Sequence, residues 1–174
     1  MSHNERLNEC LAAIKNGDQT KYYELHQITY GPLINIAKRY LIDKSEAENV
    51  VSDVYKRIYK YADRYDTSRD ALSYLWQIVK HKAYDYNKQY LRNNTVNIDD
   101  LQIPDDIDPY ERIDTKMDID KALKRVGKKN ALIVICTYKY GMTQEEIAQK
   151  LNISKSAVSQ RLSKTKKKLS EYLK

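Results

Sequence analysis

The stretch from Gly141 to Leu169 constrains the fold more than any other part of the chain, because it carries two successive helix-start signals around a tight turn. Thr143 followed by Glu146 has the spacing of a capping box, in which each side chain bonds the other residue's free backbone N–H. Asn152 is placed to end the first helix in a left-handed conformation, and Ser154 to cap the second. The pattern predicts a helix-turn-helix.

The second of these helices has an apolar side and a polar, cationic side. Its apolar residues recur at helical spacing and are expected to face inward: Val158, Leu162, Thr165 and Leu169. Lys, Ser, Gln and Arg side chains remain on the other side, and all of these bond base edges or phosphates. We therefore expect this side to bind DNA, with a solvated basic helix as the alternative.

Composition favours an all-helical protein, with four Gly, three Pro and abundant Lys, Leu, Ile, Ala and Glu in 174 residues. The net charge of +7 is unevenly spread. Residues 93–120 carry 2 Lys/Arg and 9 Asp/Glu, whereas residues 121–174 carry 14 and 3. A basic end suited to a polyanion therefore follows a strongly acidic segment.

The cysteines and histidines do not predict a metal site. Cys10 and Cys136 lie far apart, and the three His residues are scattered. We expect no metal and no cofactor, and two buried thiols in a reducing compartment. No signal peptide or membrane span is evident, since the longest apolar run, 131–136, is too short to cross a bilayer. These features predict a cytoplasmic protein that is not inserted in a membrane.

Further helices precede the acidic segment. Gly31-Pro32 is expected to interrupt or kink the second of them. Ser45 and Glu48 have the spacing of a second capping box, opening a helix with an apolar stripe. A polar, aperiodic loop over 63–70 leads to a long helix, on whose apolar stripe Trp76 falls. The periodicity then vanishes until helical patterns return at about 118–126 and 131–140.

These patterns predict two small helical domains joined by a flexible acidic linker. We expect the first domain over 1–92, the linker over 93–117 and the second domain over 118–174. The linker has two Pro and repeated Asp, a composition typical of an extended tether.

Three segments in this order resemble the bacterial sigma factors of the extracytoplasmic-function group. SEAENVVSDVYKRIYKY (Ser45–Tyr61) is similar to the helix of the family that binds polymerase. RYDTSRDALSYLWQIVKHKAYDYNKQY (Arg64–Tyr90) is similar to the loop and helix that open and read the −10 element. The segment Ala131–Leu169, with Glu146-Ile147-Ala148, is similar to the domain that reads the −35 element. The chain departs from the usual family pattern at Asn49, Ser52 and Asp53.

The resemblance implies recruitment of core RNA polymerase to promoter DNA, with domains like sigma regions 2 and 4. Contacts with the polymerase clamp and flap are implied, and an anti-sigma protein is a further candidate partner. The implied clamp-binding residues are Asn49, Asp53, Lys56 and Arg57. The implied −10 residues are Arg64, Tyr65, Ser68 and Arg69 in the loop, and Lys80, His81, Tyr84 and Lys88 in the helix. The implied −35 residues are Lys155, Ser156, Ser159 and Gln160 near base edges, and Arg161, Lys164 and Lys166 near phosphates.

The same resemblance suggests a role for the acidic linker, since the family tether threads polymerase channels that also accept RNA. The carboxylates available to occupy a basic RNA path are Asp99, Asp100, Asp105, Asp106 and Asp108. A solubilising spacer is the alternative.

Two other functions compete with this interpretation. A stand-alone helix-turn-helix regulator needs only the last segment and leaves the first two unexplained. A sigma-like accessory subunit from a phage or mobile element is compatible with the divergent positions 49–53. An enzyme is disfavoured, because the sequence has no Gly-rich phosphate loop, metal cluster or nucleophile–base arrangement.

Overall fold

A computed structural model describes residues 3–94 and 113–172, and within these ranges the chain is helical with no strand. The predicted all-α fold is confirmed. The helices are α1 (His3–Lys15), α2 (Lys21–Tyr40), α3 (Ala47–Lys60), α4 (Ala71–Asn93), α5 (Ile113–Val126), α6 (Lys128–Tyr138), α7 (Gln144–Leu151) and α8 (Lys155–Tyr172). The chain divides into two compact units, which we call unit 1 (residues 1–89) and unit 2 (residues 90–174). No helix in the described ranges is long and apolar enough to cross a membrane.

Unit 1 is built around a core to which α1, α2, α3 and α4 all contribute. Leu7, Leu25, Val54 and Leu75 are each fully buried, one from each helix. These residues belong to apolar stripes repeating at three and four residues, so each helix presents one face to the others. The strongest amphipathic pattern is that of α3, whose inward side is mostly Val and Ile.

The second helix is continuous across Gly31-Pro32, which was expected to interrupt or kink it, so the interruption is not found. Pro32 lies inside α2, and the helix runs on to Tyr40. Proline removes one backbone donor and leaves the carbonyl four residues earlier without its helical partner. Buried residues on both sides of the proline, including Leu25, Leu33 and Ile36, hold the helix in place. Tertiary packing therefore overrides the local signal.

The start of α3 also differs from the prediction. Asp43 caps a short 3-10 helix over Lys44–Glu46, accepting a hydrogen bond from the Ser45 backbone N–H at 3.0 Å. The Ser45 hydroxyl donates to the same carboxylate, and α3 begins at Ala47 with Glu46, not Ser45, at its N-cap position. The predicted Ser45–Glu48 capping box is wrong, because the 3-10 turn capped by Asp43 places Ser45 one residue before the N-cap of α3, which has no side-chain cap.

Trp76 lies on the inner side of α4 without being fully enclosed. Its ring packs against the unit 1 core and lies 6.5 Å from the Tyr40 ring. Its indole nitrogen is buried with no hydrogen-bond partner in the part of the chain that the structure describes. Trp76 is thus a core-packing residue, as its place on the apolar stripe predicts.

Unit 2 places α7 and α8 next to α5 and α6. Ala131, Ile133, Cys136, Ile147 and Val158 are buried in it. The fifth helix begins at Ile113, inside the segment 93–117 expected to be linker. The acidic composition that predicted a linker therefore does not exclude a helix at the end of that segment. The five carboxylates of the linker hypothesis lie outside the described residues.

Candidate nucleic-acid interface

The turn between α7 and α8 is fixed by the local signals predicted for it. The Thr143 N–H donates to Glu146 Oε2 at 2.7 Å, and the Glu146 N–H donates to Thr143 Oγ1 at 3.2 Å. Asn152 ends α7 in the left-handed region with φ of 52°. Ser154 Oγ accepts the Ala157 N–H at 3.1 Å. The predicted helix-turn-helix geometry is confirmed, and it fixes the direction in which α8 leaves the turn.

The outer side of α8 is free of the core. Val158, Leu162 and Thr165 are buried, whereas all seven residues predicted to contact the −35 element are exposed: Lys155, Ser156, Ser159, Gln160, Arg161, Lys164 and Lys166. Two of the cations already have neighbours. Lys155 Nζ lies 3.3 Å from Glu145 Oε2, and Lys166 Nζ lies 5.1 Å from the centre of the Tyr138 ring.

Helical periodicity sorts these exposed residues further. An α-helix has about 3.6 residues per turn. The exposed row most nearly opposite the buried stripe therefore consists of Ser156, Gln160, Ser163 and Lys167. Lys155 and Lys166 lie on one flank of that row and Arg161 lies on the other. The predicted site residues omit Ser163 and Lys167, although the i, i+4, i+7, i+11 spacing identifies both from the sequence.

The outer side of α3 lines a groove against α2. Asn49 and Lys56 are exposed there, beside Tyr22, Tyr55 and Tyr59, in an open groove of about 720 Å³. The Asn49 amide donates to Glu46 Oε2 at 2.7 Å. Asn49 and Lys56 therefore occupy one continuous surface, as expected for two of the predicted polymerase contacts.

Asp53 has a different environment from these two residues. Its carboxylate accepts a hydrogen bond from the Tyr86 hydroxyl at 3.2 Å, and Lys56 Nζ lies 3.1 Å from it. Lys82 Nζ is 4.0 Å away. Asp53 thus links α3 to α4 through Tyr86 and Lys82, which leaves less of its charge for a partner.

Arg57 lies apart from the other polymerase candidates, in a second groove between α3 and α4. This groove has a volume of about 450 Å³ and brings Arg57 together with two predicted −10 residues, Arg69 and His81. Tyr74 and Lys82 also line it. The structure therefore groups Arg57 with the candidates for DNA contact, and sequence reasoning missed Tyr74 and Lys82.

Tyr65 is the predicted −10 residue that the structure contradicts most directly. Its side chain is 1% exposed, and its hydroxyl donates to Asn8 Oδ1. The ring packs 4.8 Å from the Tyr74 ring. Burial, followed by the charge of Asp70, raises the pKa of Tyr65 to about 12. Tyr65 is a core residue that anchors the loop, and its ring is not available to a base.

The rest of the loop remains at the surface. Asp66 Oδ1 accepts hydrogen bonds from the Ser68 backbone N–H at 3.0 Å and from the Ser68 hydroxyl at 2.7 Å. These bonds hold the pKa of Asp66 below its usual value. Arg69 Nε lies 3.4 Å from the same carboxylate. Ser68, Arg69 and Arg64 are all exposed, so the loop is an ordered platform that presents polar groups to solvent.

The four candidates on α4 lie on two flanks of that helix. His81 faces the groove that contains Arg57 and Arg69. Lys80 lies on the other flank, with Nζ 5.4 Å from the Tyr40 ring and 5.7 Å from the Tyr84 ring. Burial, and then the neighbouring Tyr40, raises the pKa of Tyr84 to about 12. Lys88 is half-buried.

Comparison with known proteins identifies the class to which this architecture belongs. The family model for sigma-70 region 2 matches residues 25–95, and that for sigma-70 region 4 matches residues 122–171. The chain belongs to the sigma-70 family. It is a sigma factor of transcription initiation, a class that binds RNA polymerase and promoter DNA.

Particular relatives are similar along nearly the whole chain. RNA polymerase sigma factor NccH of Alcaligenes xylosoxydans xylosoxydans is 24% identical, over 96% of this chain and 95% of NccH. RNA polymerase sigma factor CnrH of Cupriavidus metallidurans is 24% identical, over 97% of this chain and 95% of CnrH. A solved structure of CnrH in complex with the cytosolic domain of CnrY aligns with 97% of each chain, at 20% identity and a TM-score of 0.43. The stand-alone regulator is not favoured, because that alternative has no use for a region 2 domain.

Proposed function

We propose that unit 1 docks on the polymerase clamp through the α2–α3 groove and takes the opened −10 strand in the α3–α4 groove. Unit 2 reads the −35 duplex with the outer side of α8 and contacts the polymerase flap. The observation that carries this assignment is the separation of the two grooves on either side of α3. One presents Asn49 and Lys56, and the other gathers Arg57, Arg69 and His81.

On this assignment the protein recruits core RNA polymerase to promoter DNA and catalyses no reaction itself. Sigma factors are not enzymes. The described residues contain no group of three or more His, Cys, Asp or Glu side chains able to hold a metal ion. Since core polymerase and chromosomal DNA meet in the bacterial cytoplasm, the proposal also places the protein there.

Polymerase docking is tested by retention of core RNA polymerase on the immobilised full chain. The informative variant combines Asn49→Ala with Lys56→Glu, both on the α2–α3 groove. We expect its retention of polymerase to fall at least tenfold. The matched control is Lys38→Glu, an exposed lysine on the side of α2 that faces away from the buried stripe. Equal retention of wild-type and double variant would overturn the assignment of this groove.

A variant of Arg57 separates polymerase binding from DNA binding. Because it lies in the α3–α4 groove, Arg57→Ala should leave polymerase retention unchanged and weaken binding of opened promoter DNA. Reduced polymerase retention with unchanged DNA binding would instead assign Arg57 to the contact with the polymerase clamp. A competing anti-sigma protein, if it covers the α2–α3 groove, would be displaced by core polymerase but not by DNA.

The −35 contacts are tested with promoters selected from random duplex DNA by the assembled holoenzyme. Gln160→Ala should relax the base preference at one position, with a loss of about 1–3 kcal/mol of discrimination, because the Gln amide can pair with a base edge. Lys167→Ala should weaken binding to all DNA sequences alike. It should also lower the salt slope, which is the slope of the logarithm of the binding constant against the logarithm of salt concentration, by about 0.9. Unchanged preference in the Gln160 variant would remove that residue from the base-reading set.

A further inference from the structure

Three cations surround a single tyrosine at the end of α3. The charged groups of Arg64, Lys60 and Arg57 lie 4.7, 5.4 and 5.6 Å from the centre of the Tyr61 ring. The backbone fixes this arrangement, since the Tyr61 N–H donates to the Arg57 carbonyl at 3.0 Å and the Arg64 N–H donates to the Tyr61 carbonyl at 3.1 Å. We call these four residues the Tyr61 cluster.

None of the three cations of the Tyr61 cluster forms an ion pair within the described residues of unit 1, although the exposed Asp63 precedes Arg64. Neighbouring cations such as Lys56, Arg69 and Lys82 each lie within 4.0 Å of a carboxylate. All three cations of the cluster are exposed. The ring quadrupole offsets only part of their mutual repulsion, so this surface favours a polyanion.

The position of the Tyr61 cluster indicates which kind of polyanion it binds. Arg57 belongs both to the cluster and to the α3–α4 groove that holds Arg69 and His81. Arg57 therefore connects this groove, which Asp85 also lines, to Lys60 and Arg64 at the end of α3. A tyrosine among cations is the combination that tracks single-stranded nucleic acid, because bases stack on the ring while phosphates meet the charges.

We propose that the Tyr61 cluster binds the backbone and one stacked base of the opened DNA strand, beside the groove assigned above to the −10 bases. This inference rests on the proposed function and adds Lys60 and Tyr61 to its contacts. It differs from base-specific reading, because ring stacking and phosphate contacts tolerate any sequence. The cluster would position the strand without choosing the promoter.

The test uses holoenzyme assembled from the full chain and core polymerase, with a fluorescent promoter fragment from the selection above whose strands are mismatched over the region of opening. Tyr61→Ala should weaken binding of this probe about tenfold, the loss expected for one base stack. Tyr61→Phe should restore it, because the ring remains. Lys60→Ala should lower the salt slope by about 0.7, the value for one single-strand phosphate. Tyr23→Ala, which removes a tyrosine 71% exposed on α2, is the matched control.

Placement is tested independently by a photo-crosslinking benzoylphenylalanine at position 61. A crosslink to one strand of the mismatched region supports the proposal, and a crosslink to a polymerase subunit overturns it. Normal probe binding by a Tyr61→Ala variant that still assembles overturns this inference alone. Failure of the wild-type chain to assemble with polymerase overturns the proposed function and this inference with it.

Discussion

Tyr65 shows at the scale of one residue how burial decides between two roles. The sequence places it in a polar loop next to arginines, where a tyrosine predicts base stacking. The structure places its ring in the core, 1% exposed, because the side chain turns inward to Tyr74 and Asn8. A loop signal describes the backbone of a segment and leaves open which side chain serves as its anchor.

This burial predicts a large effect on stability at residue 65. We expect Tyr65→Ala to lower the free energy of unfolding of unit 1 by about 3–5 kcal/mol, as for other large core side chains. Tyr65→Phe should lower it by about 1 kcal/mol, since the ring remains and only the hydroxyl's bonds to Asn8 Oδ1 and the Arg69 carbonyl are lost. Urea unfolding measures both.

Tyr23→Ala serves as the control for residue 65, because that exposed ring should contribute less than about 0.5 kcal/mol. A Tyr65→Phe variant with normal stability but impaired binding of opened promoter DNA would contradict the structural role.

At the scale of helices, the same substitution is expected to have opposite effects at two glycines. Gly31 lies inside α2, and a methyl group added there meets nothing within 4 Å beyond its two chain neighbours and the nearby backbone of its own helix. Gly31→Ala should therefore stabilise unit 1 by about 0.5–1 kcal/mol, the helix preference of Ala over Gly. Gly17 follows α1 with φ of 92°, so Gly17→Ala should destabilise by at least about 1 kcal/mol.

Chemical unfolding of the two alanine variants tests the pair directly. Because the substitution is identical, a shared effect on the unfolded chain cancels from the comparison. Destabilisation by Gly31→Ala would contradict this prediction and show that α2 does not tolerate a Cβ directly before Pro32.

The helix-turn-helix could be predicted in detail because all its signals are local. The Thr143–Glu146 box, the left-handed Asn152 and the Ser154 cap each involve residues within four positions of one another. The start of α3 was mispredicted for a related reason, since Asp43, just outside the Ser45–Glu48 motif, caps a 3-10 turn that contains Ser45. The two grooves beside α3 depend on contacts between residues far apart in sequence. Their separation, and the assignment of Arg57, could not be read from spacing alone.

The acidic segment matters at the scale of the whole chain, because it separates a first region of modest charge from a C-terminal region of net +11. We propose that its carboxylates occupy a basic RNA path on the polymerase. Replacement of Asp99, Asp100, Asp105, Asp106 and Asp108 by Asn should then change the ratio of abortive to full-length transcripts from a selected promoter. A variant with Glu at the same positions is the control, since it keeps the charge. An unchanged ratio in the Asn variant would contradict this proposal and favour the alternative that the segment is only a spacer.

The tyrosines give both units a shared dependence on alkaline pH. Burial is the main cause that raises the pKa of Tyr65 in unit 1 and of Tyr140 in unit 2 to about 12. An unfolded tyrosine ionises near pH 10, so between about pH 10 and pH 12 the unfolded chain has released protons that the folded chain still holds. Each group thus contributes stability that is fully present below about pH 10 and is lost as the pH rises towards 12.

We therefore expect the urea midpoints of both units to fall as the pH is raised from about 9 to about 11. Tyr140→Phe should flatten this fall for unit 2 and leave that of unit 1 unchanged, because phenylalanine does not titrate. Hydrogen exchange resolved by peptide separates the two units in the full chain, and phenolate absorbance follows the ionisation itself. A fall for unit 2 that is as steep in the Phe variant as in wild type would assign the alkaline sensitivity to groups other than Tyr140.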